Sequence, residues 1–296
     1  MAANNTLNSL VCYLFRKKME LFPNFEFGKF PPIGWLRNRL RTRLQQPFVD
    51  VNGLRLFLNL KDSPDWFING QYEPALTRLL AEVVRPGDVV LDIGANVGYY
   101  TLLLSQKVGP TGKVYAFEPA PGNFELLCKN VETNGCTNVV AVNKAVSNEQ
   151  KSIKLFLSKD NLGDHRIYDS GDSREHVIVD CIRLDDFLAR SAADIRVIKI
   201  DVQGAEFQVL AGMTSLFNKN SDLTMFMEFW PYGLRRSGAD PKAVLELLRG
   251  NGFVLCDEAS PNTPVNQKTL EDLCQTQNTV NSNRYINLVC KRKSSA

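Results

Sequence analysis

Val89-Val90-Leu91-Asp92-Ile93-Gly94-Ala95-Asn96-Val97-Gly98-Tyr99-Tyr100 decides how the rest of the chain is read. Residues 89–93 form a short apolar run rich in β-branched side chains, which suits a strand covered on both faces. Gly94 permits a sharp turn and a close approach of backbone to a ligand. Gly98 follows four residues later, where a missing side chain lets helix and strand pack closely. The next residues open a helix, and a ligand lying over such a turn meets its free amides. Asp92, at the end of the strand, is expected to point its carboxylate into the same crevice.

Two classes of nucleotide cofactor compete for a turn of this kind. A dinucleotide site prefers Gly-x-Gly-x-x-Gly and sets the diphosphate on the helix start. Here the spacing is Asp-x-Gly-x-x-x-Gly, with no second close glycine and an acid where a diphosphate would be repelled. A cationic ligand tolerates that acid better. S-adenosylmethionine carries a sulfonium and an ammonium, so the pattern favours it over NAD.

A chain of 296 residues can hold one large α/β domain with additions, or two small domains. With 44% hydrophobic and 23% charged residues it reads as globular. A net charge of +3 is too small to argue for nucleic acid. The seven cysteines are scattered and contain no Cys-x-x-Cys, which fits reduced thiols in the cytoplasm. With two histidines, His165 and His176, a histidine-rich metal site is excluded, and no metal is expected. The apolar run at 10–15 is far shorter than a membrane span, and no signal peptide is evident.

Residues 1–46 read as an N-terminal extension and 47–296 as the catalytic domain. In the extension, Leu36, Leu40 and Leu44 make an apolar helical stripe, with Arg37, Arg39, Arg41 and Arg43 as its solvated face. Asn52-Gly53 between alternating segments signals a hairpin. From residue 73 helices alternate with strands. Helices are expected at 73–84, 97–108, 123–134, 184–190, 207–217 and 241–251. Strands are expected at 89–93, 113–117, 139–146, 151–157, 176–182, 196–201, 223–229, 253–257 and 284–291. This alternation predicts a doubly wound, mostly parallel sheet.

Acids stand where four of these strands should end: Asp92, Glu118, Asp201 and Glu228. Ligands of open α/β sheets bind beyond the carboxyl ends of the strands. Glu118 is placed to accept both hydroxyls of a ribose. Asp201 and Glu228 could orient an acceptor or take its proton. Glu206 reads as an acid matched to a helix start, and Lys199, inside an apolar strand, as the partner of an acid. His165, flanked by Asp164 and Arg166 in a polar loop, is a natural general base near neutral pH.

Three segments taken in order resemble the FkbM-type methyltransferases. They are residues 91–100, the Tyr115-Ala116-Phe117-Glu118-Pro119 segment, and the Lys199-Ile200-Asp201-Val202-Gln203-Gly204-Ala205-Glu206 segment. Tyr72-Glu73-Pro74, Asn161-Leu162-Gly163 and Leu184-Asp185-Asp186-Phe187 agree with it, whereas Gln203 stands where the family pattern has a glutamate. The resemblance, over about residues 48–291, implies a class I, Rossmann-like methyltransferase fold with a seven-stranded sheet and S-adenosylmethionine as cofactor. It matches Asp92, Gly94, Asn96 and Gly98 to the cofactor turn and Glu118 to the ribose acid, with Tyr100, Pro119 and Ala145 as further cofactor contacts. His165, Asp201 and Glu228 are the candidate catalytic residues. The expected reaction is O-methylation of a hydroxyl on a sugar or secondary metabolite, with N-methylation of a peptide or side-chain amide as the alternative. A NAD-dependent oxidoreductase has the right sheet but the wrong glycine spacing. A non-catalytic nucleotide- or RNA-binding protein would have to use the arginines at 37–43, which lack interleaved aromatics. The acceptor is thus expected to be a small molecule or peptide, not a nucleic acid.

Overall fold

The structure is a computed structural model, described for residues 48–58, 72–159, 161–189, 193–275 and 285–292. The arginine-bearing helix expected in the extension lies outside the described residues. Two compact units are present: residues 1–58 with 63–72, and residues 59–62 with 73–296.

In the first unit, β1 (Phe48–Val51) and β2 (Leu54–Phe57) form the expected antiparallel hairpin. Asn52 and Gly53 take φ of 53° and 81°, the doubly left-handed turn whose twist matches paired strands. The Asp50 carboxylate accepts the Gly53 amide at 3.0 Å and closes the turn.

The second unit runs α1 (Pro74–Val83), β3 (Val89–Ile93), α2 (Tyr99–Val108), β4 (Lys113–Phe117), α3 (Pro121–Thr133), β5 (Val139–Val142), β6 (Ala145–Val146), β7 (Ser152–Leu157), β8 (Glu175–Ile182), α4 (Leu184–Phe187), β9 (Ile195–Ile200), α5 (Glu206–Ala211), α6 (Thr214–Lys219), β10 (Thr224–Phe229), α7 (Pro231–Arg236), α8 (Pro241–Gly250), β11 (Phe253–Asp257), β12 (Ser260–Pro264), α9 (Gln267–Gln275) and β13 (Ile286–Arg292). The main sheet has the order β12-β11-β13-β10-β9-β3-β4-β5. β5, β4, β3, β9 and β10 run parallel, and β13 is inserted antiparallel between β10 and β11. This is the mostly parallel, class I methyltransferase sheet, with eight strands among the described residues instead of the seven expected. The extra one, β12, reads Ser260-Pro261-Asn262-Thr263-Pro264. Proline has no amide to donate, so such a strand survives at a sheet edge, where β12 lies, and its sequence does not announce it.

Other boundaries shift for identifiable reasons. The expected strand at 139–146 breaks into β5 and β6, and β6 leaves the main sheet to pair with β8. With β7 it makes a three-stranded satellite sheet, so the 152–157 and 175–182 strands are not part of the central layer. The expected helix at 207–217 is two short helices. A side chain at Gly212, between them, would meet the Ser147 carbonyl oxygen at 2.1 Å.

The core lies between the central strands and their covering helices. Leu91, Ile93, Ile198, Ile200, Met225 and Phe229 are all buried. The chain passes from β3 to β4 and β5 on one side and returns to β9 and β10 on the other. The crevice beyond β3 and β9 is therefore a topological switch point, where ligands of open sheets bind. No helix among the described residues is long and apolar enough to cross a membrane.

Candidate active site

The turn after β3 is built by close backbone packing. The amides of Gly94 and Ala95 both donate to the Phe117 carbonyl at 3.0 Å, fastening the turn to β4. Gly94 has φ of 78°, and a Cβ there would stand 1.9 Å from the Asp201 carbonyl oxygen. The glycine thus makes room for the residue that follows β9. Gly98, at φ 93°, is pressed by Leu127, whose Cδ1 would be 2.7 Å from an added Cβ. The close packing there is between α2 and α3, not between helix and strand.

Asp92 is a correction of the sequence reading. It is fully buried, and its carboxylate faces the interior instead of the crevice. Thr101 Oγ1 donates to it at 2.6 Å, and the Lys199 ammonium lies 3.6 Å away. Asp92 and Lys199 are in-register neighbours on β3 and β9, which accounts for a lysine inside an apolar strand. Lys199 also donates to the Gly94 carbonyl at 2.9 Å and lies 3.8 Å from Asp201. Burial works to lower its pKa, but Asp92, Asp201, Glu73 and Glu118 together leave it raised. It stays a cation at the centre of four acids.

Glu118, at the end of β4, curls back over the turn. Its two oxygens accept the amides of Asn96 and Ala120, each at 2.9 Å. Burial pushes its pKa up to about 7, although both amides and Lys199 pull the other way. Asn96 sits in left-handed backbone at φ 51°, and its Oδ1 is buried with no hydrogen-bond partner among the described residues. The loop after β7 reaches the same place. Asn123 Nδ2 donates to the Leu162 carbonyl at 3.0 Å, and Gly163 lies against the Asn96 amide group. An orphaned acceptor beside a carboxylate with unused lone pairs suits a ligand rich in donors, such as the hydroxyls and ammonium of S-adenosylmethionine. Asn143 Nδ2 donates to the carbonyls of Glu118 and Pro119 at 2.8 and 3.2 Å and holds that segment in place. Ala145 is buried in β6 opposite Cys181, packed with Ala120 in the satellite core. The Tyr100 hydroxyl donates to Glu73 at 2.6 Å, and Lys199 lies over its ring at 5.4 Å.

Asp201 and Glu228 do converge. They follow or end adjacent parallel strands, and the Gln203 amide nitrogen stands between them, 2.8 Å from Asp201 Oδ1 and 3.5 Å from Glu228 Oε2. Burial, then the charges of Asp201, Glu206 and Glu73, raise Glu228 well above the ordinary glutamate range. Glu206 is buried and caps its own loop, accepting the amides of Val202 and Gly204 at 3.3 and 3.1 Å.

His165, the expected base, makes a structural contact. Its Nδ1 accepts the Ser158 amide at 3.0 Å, so the lone pair a base would use is already engaged. Burial and the nearby Arg174 lower its pKa to about 4, against the pull of Asp164. Asp164 itself is committed to Arg166 and Arg174, at 2.6 and 2.8 Å.

Sequence reasoning passed over Glu73 and Gln203 as site residues. Glu73 precedes α1 in left-handed backbone, φ 40° and ψ 68°, without capping the helix. Burial raises its pKa while the Tyr100 hydroxyl pulls it down. An acid directly before a helix-opening proline reads as a cap, so nothing local revealed that its side chain crosses to α2.

The family model described as the methyltransferase FkbM domain matches residues 92–255. The chain is 30% identical over 215 residues to a 31-O-demethyl-FK506 methyltransferase from Streptomyces tacrolimicus, covering 60% of this chain and 77% of that protein. It is 28% identical over 178 residues to a hexuronic acid methyltransferase from Haloferax volcanii, covering 60% and 67%. It is 28% identical over 144 residues to a protein named methyltransferase 1 from Beauveria bassiana, covering 42% of this chain and 57% of that protein, less than two thirds of its length.

Proposed function

The chain belongs to the FkbM methyltransferase family, whose methyl donor is S-adenosylmethionine, and on that premise we propose that it methylates a hydroxyl group on a sugar or secondary metabolite. The donor, when bound, supplies a methyl group made electrophilic by its sulfonium. Asn96 and Glu118 offer acceptors for the donor's polar groups beside the turn. At the other end the acceptor must be held in line with the methyl and relieved of a proton.

The observation that carries this reading is the pair of carboxylates, Asp201 and Glu228, bridged by Gln203 beside the cofactor turn. A hydroxyl is a weak nucleophile until it gives up its proton, and a carboxylate that accepts that hydrogen both aligns the oxygen and receives the proton. The names of the relatives support the choice. One is named for a 31-O-demethyl substrate and another for a hexuronic acid.

The test is transfer of labelled methyl from S-adenosylmethionine to a panel of hexuronic acids, glycosides and macrocyclic alcohols, with the product bond identified. The expected product is an ether that resists mild alkali. Label recovered as a hydrolysable ester, or on an amide nitrogen, overturns the assignment to a hydroxyl.

A further inference from the structure

Resting on that reading of the acceptor end, we infer that Arg236 and Tyr168, set against Trp230, form a subsite for a carboxylate carried by the acceptor. Arg236 supplies the counter-charge and the Tyr168 hydroxyl a hydrogen bond. For a sugar, that makes the acceptor a uronic acid and not a neutral sugar.

Glu228 and Trp230 are two residues apart on extended backbone, with Trp230 at φ −115° and ψ 92°. Residues at that spacing share a face, and Phe229 between them is buried in the core. Trp230 therefore stands on the Glu228 side of the strand. Its indole is wedged against α7, where a Cβ at Gly233 would meet its Cε3 at 2.2 Å. The loop after β7 connects this wall to the cofactor turn. Leu162 meets Asn123 at one end, and at the other Arg166 lies over the Trp230 ring at 5.1 Å and the Tyr168 ring at 5.6 Å.

The charges in this wall do not cancel. Arg166 is held by Asp164 at 2.6 Å and by the Ser170 hydroxyl at 3.2 Å. Arg174 takes the other oxygen of Asp164 at 2.8 Å, and Asp172 at 2.7 Å. Arg236 lies over the Tyr168 ring at 5.8 Å and donates to the Asp169 carbonyl at 2.6 Å, with no ion-pair partner among the described residues. The Asp169 carboxylate accepts the Gly171 amide at 2.8 Å. The charged groups acting on the Tyr168 hydroxyl are Arg166, Asp164 and Arg236, two cations against one acid. That hydroxyl is itself buried, with no hydrogen-bond partner among the described residues. A buried donor of this kind costs free energy until something accepts from it.

A carboxylate answers both needs. It accepts from a phenol and a guanidinium together, and its single charge matches the one uncovered cation. A phosphate dianion would bring a second charge with no cation left to meet it. Burial pushes the phenol up to about 12, so it remains a donor at neutral pH. Arg236 is exposed, so the subsite opens to solvent at the guanidinium, and Tyr232, half-buried with its ring 5.4 Å from Trp230, borders it with apolar surface.

Isothermal calorimetry on the full chain with S-adenosylhomocysteine bound tests this, with glucuronate and galacturonate set against glucose, galactose and glucose 6-phosphate. At least one uronate is expected to bind about tenfold or more tighter than its neutral counterpart and than glucose 6-phosphate. Arg236→Gln keeps a donor for the Asp169 carbonyl while removing the charge, and should erase that preference. Tyr168→Phe keeps the ring and should reduce the preference by at least about threefold. Unchanged S-adenosylhomocysteine affinity in both variants checks that the fold is intact. Equal binding of uronates and neutral sugars, binding of none of them, or a preference that survives Arg236→Gln overturns the proposal. Tighter binding of glucose 6-phosphate than of either uronate overturns the choice of a carboxylate. The comparison needs no turnover, so methyl transfer to nitrogen in the panel above would sink the assignment to a hydroxyl without altering this result.

Discussion

The ammonium of Lys199 donates to the carbonyl oxygen of Gly94 at 2.9 Å, joining β9 to a turn 105 residues earlier. The same ammonium is the buried counter-ion of Asp92. One side chain therefore holds the floor of the crevice and neutralises the acid beneath it. Lys199→Met leaves Asp92 charged, buried and short of its partner, a loss of about 3–5 kcal/mol. Urea unfolding measures it. A loss below about 1 kcal/mol would mean that Asp92 does not depend on this lysine.

Glu118 is expected to contribute to cofactor affinity through the lone pairs its two amide bonds leave free. Glu118→Ala should weaken S-adenosylhomocysteine binding by about 10- to 100-fold, the range for hydrogen bonds to a charged group. Isothermal calorimetry reads this directly. An unchanged affinity would show that the acid only braces the Asn96 turn.

Stability of the cofactor-free protein should fall as pH rises. Glu118 and Glu206 titrate at about 7 in the folded chain, against an ordinary value of 4.5. Between those values the folded state keeps protons that the unfolded state has lost. Stability is therefore fully present below pH 4.5 and is lost as pH rises through 7. Each group accounts for roughly 3 kcal/mol over that window. Urea unfolding at several pH values should trace the decline, and Glu206→Gln should flatten it by removing one of the two titrations. A curve that is flat in the wild type contradicts the buried, protonated acids.

Gly98→Ala combines a left-handed φ of 93° with a clash against Leu127 at 2.7 Å. It should cost about 1–3 kcal/mol by overpacking, read as a lowered denaturation midpoint. Gly94→Ala should be worse, because its Cβ would collide with the Asp201 backbone at 1.9 Å, which cannot rotate aside as a leucine tip can. Its expected signature is loss of S-adenosylhomocysteine binding as well as stability.

His165→Ala should retain methyl transfer, because its Nδ1 is engaged by the Ser158 amide and the ring stays neutral at pH 7. The cost should appear as about 1–2 kcal/mol of stability from the orphaned amide. Abolished transfer with intact cofactor binding would restore His165 as the base.

The order of elements was written in local pattern. The apolar run 89–93, the glycine turn and the helix after it, and the hairpin at Asn52-Gly53 follow from backbone preferences and side-chain spacing over a few residues. The placing of acids at strand ends was legible for the same reason, since strand ends can be counted. Their chemistry was not. Asp92 faces inward because β9 lies beside β3 and supplies Lys199 at the matching register, a pairing of distant segments. The Nδ1 of His165 is engaged by a backbone amide seven residues earlier, a turn that no composition rule describes. Glu73 reached Tyr100, and Gln203 came between Asp201 and Glu228, because non-glycine residues were held in left-handed backbone by the surrounding packing. Short-range sterics chose the strands, the turn and their sequence along the chain. Long-range packing decided which carboxylates are buried and which are paired.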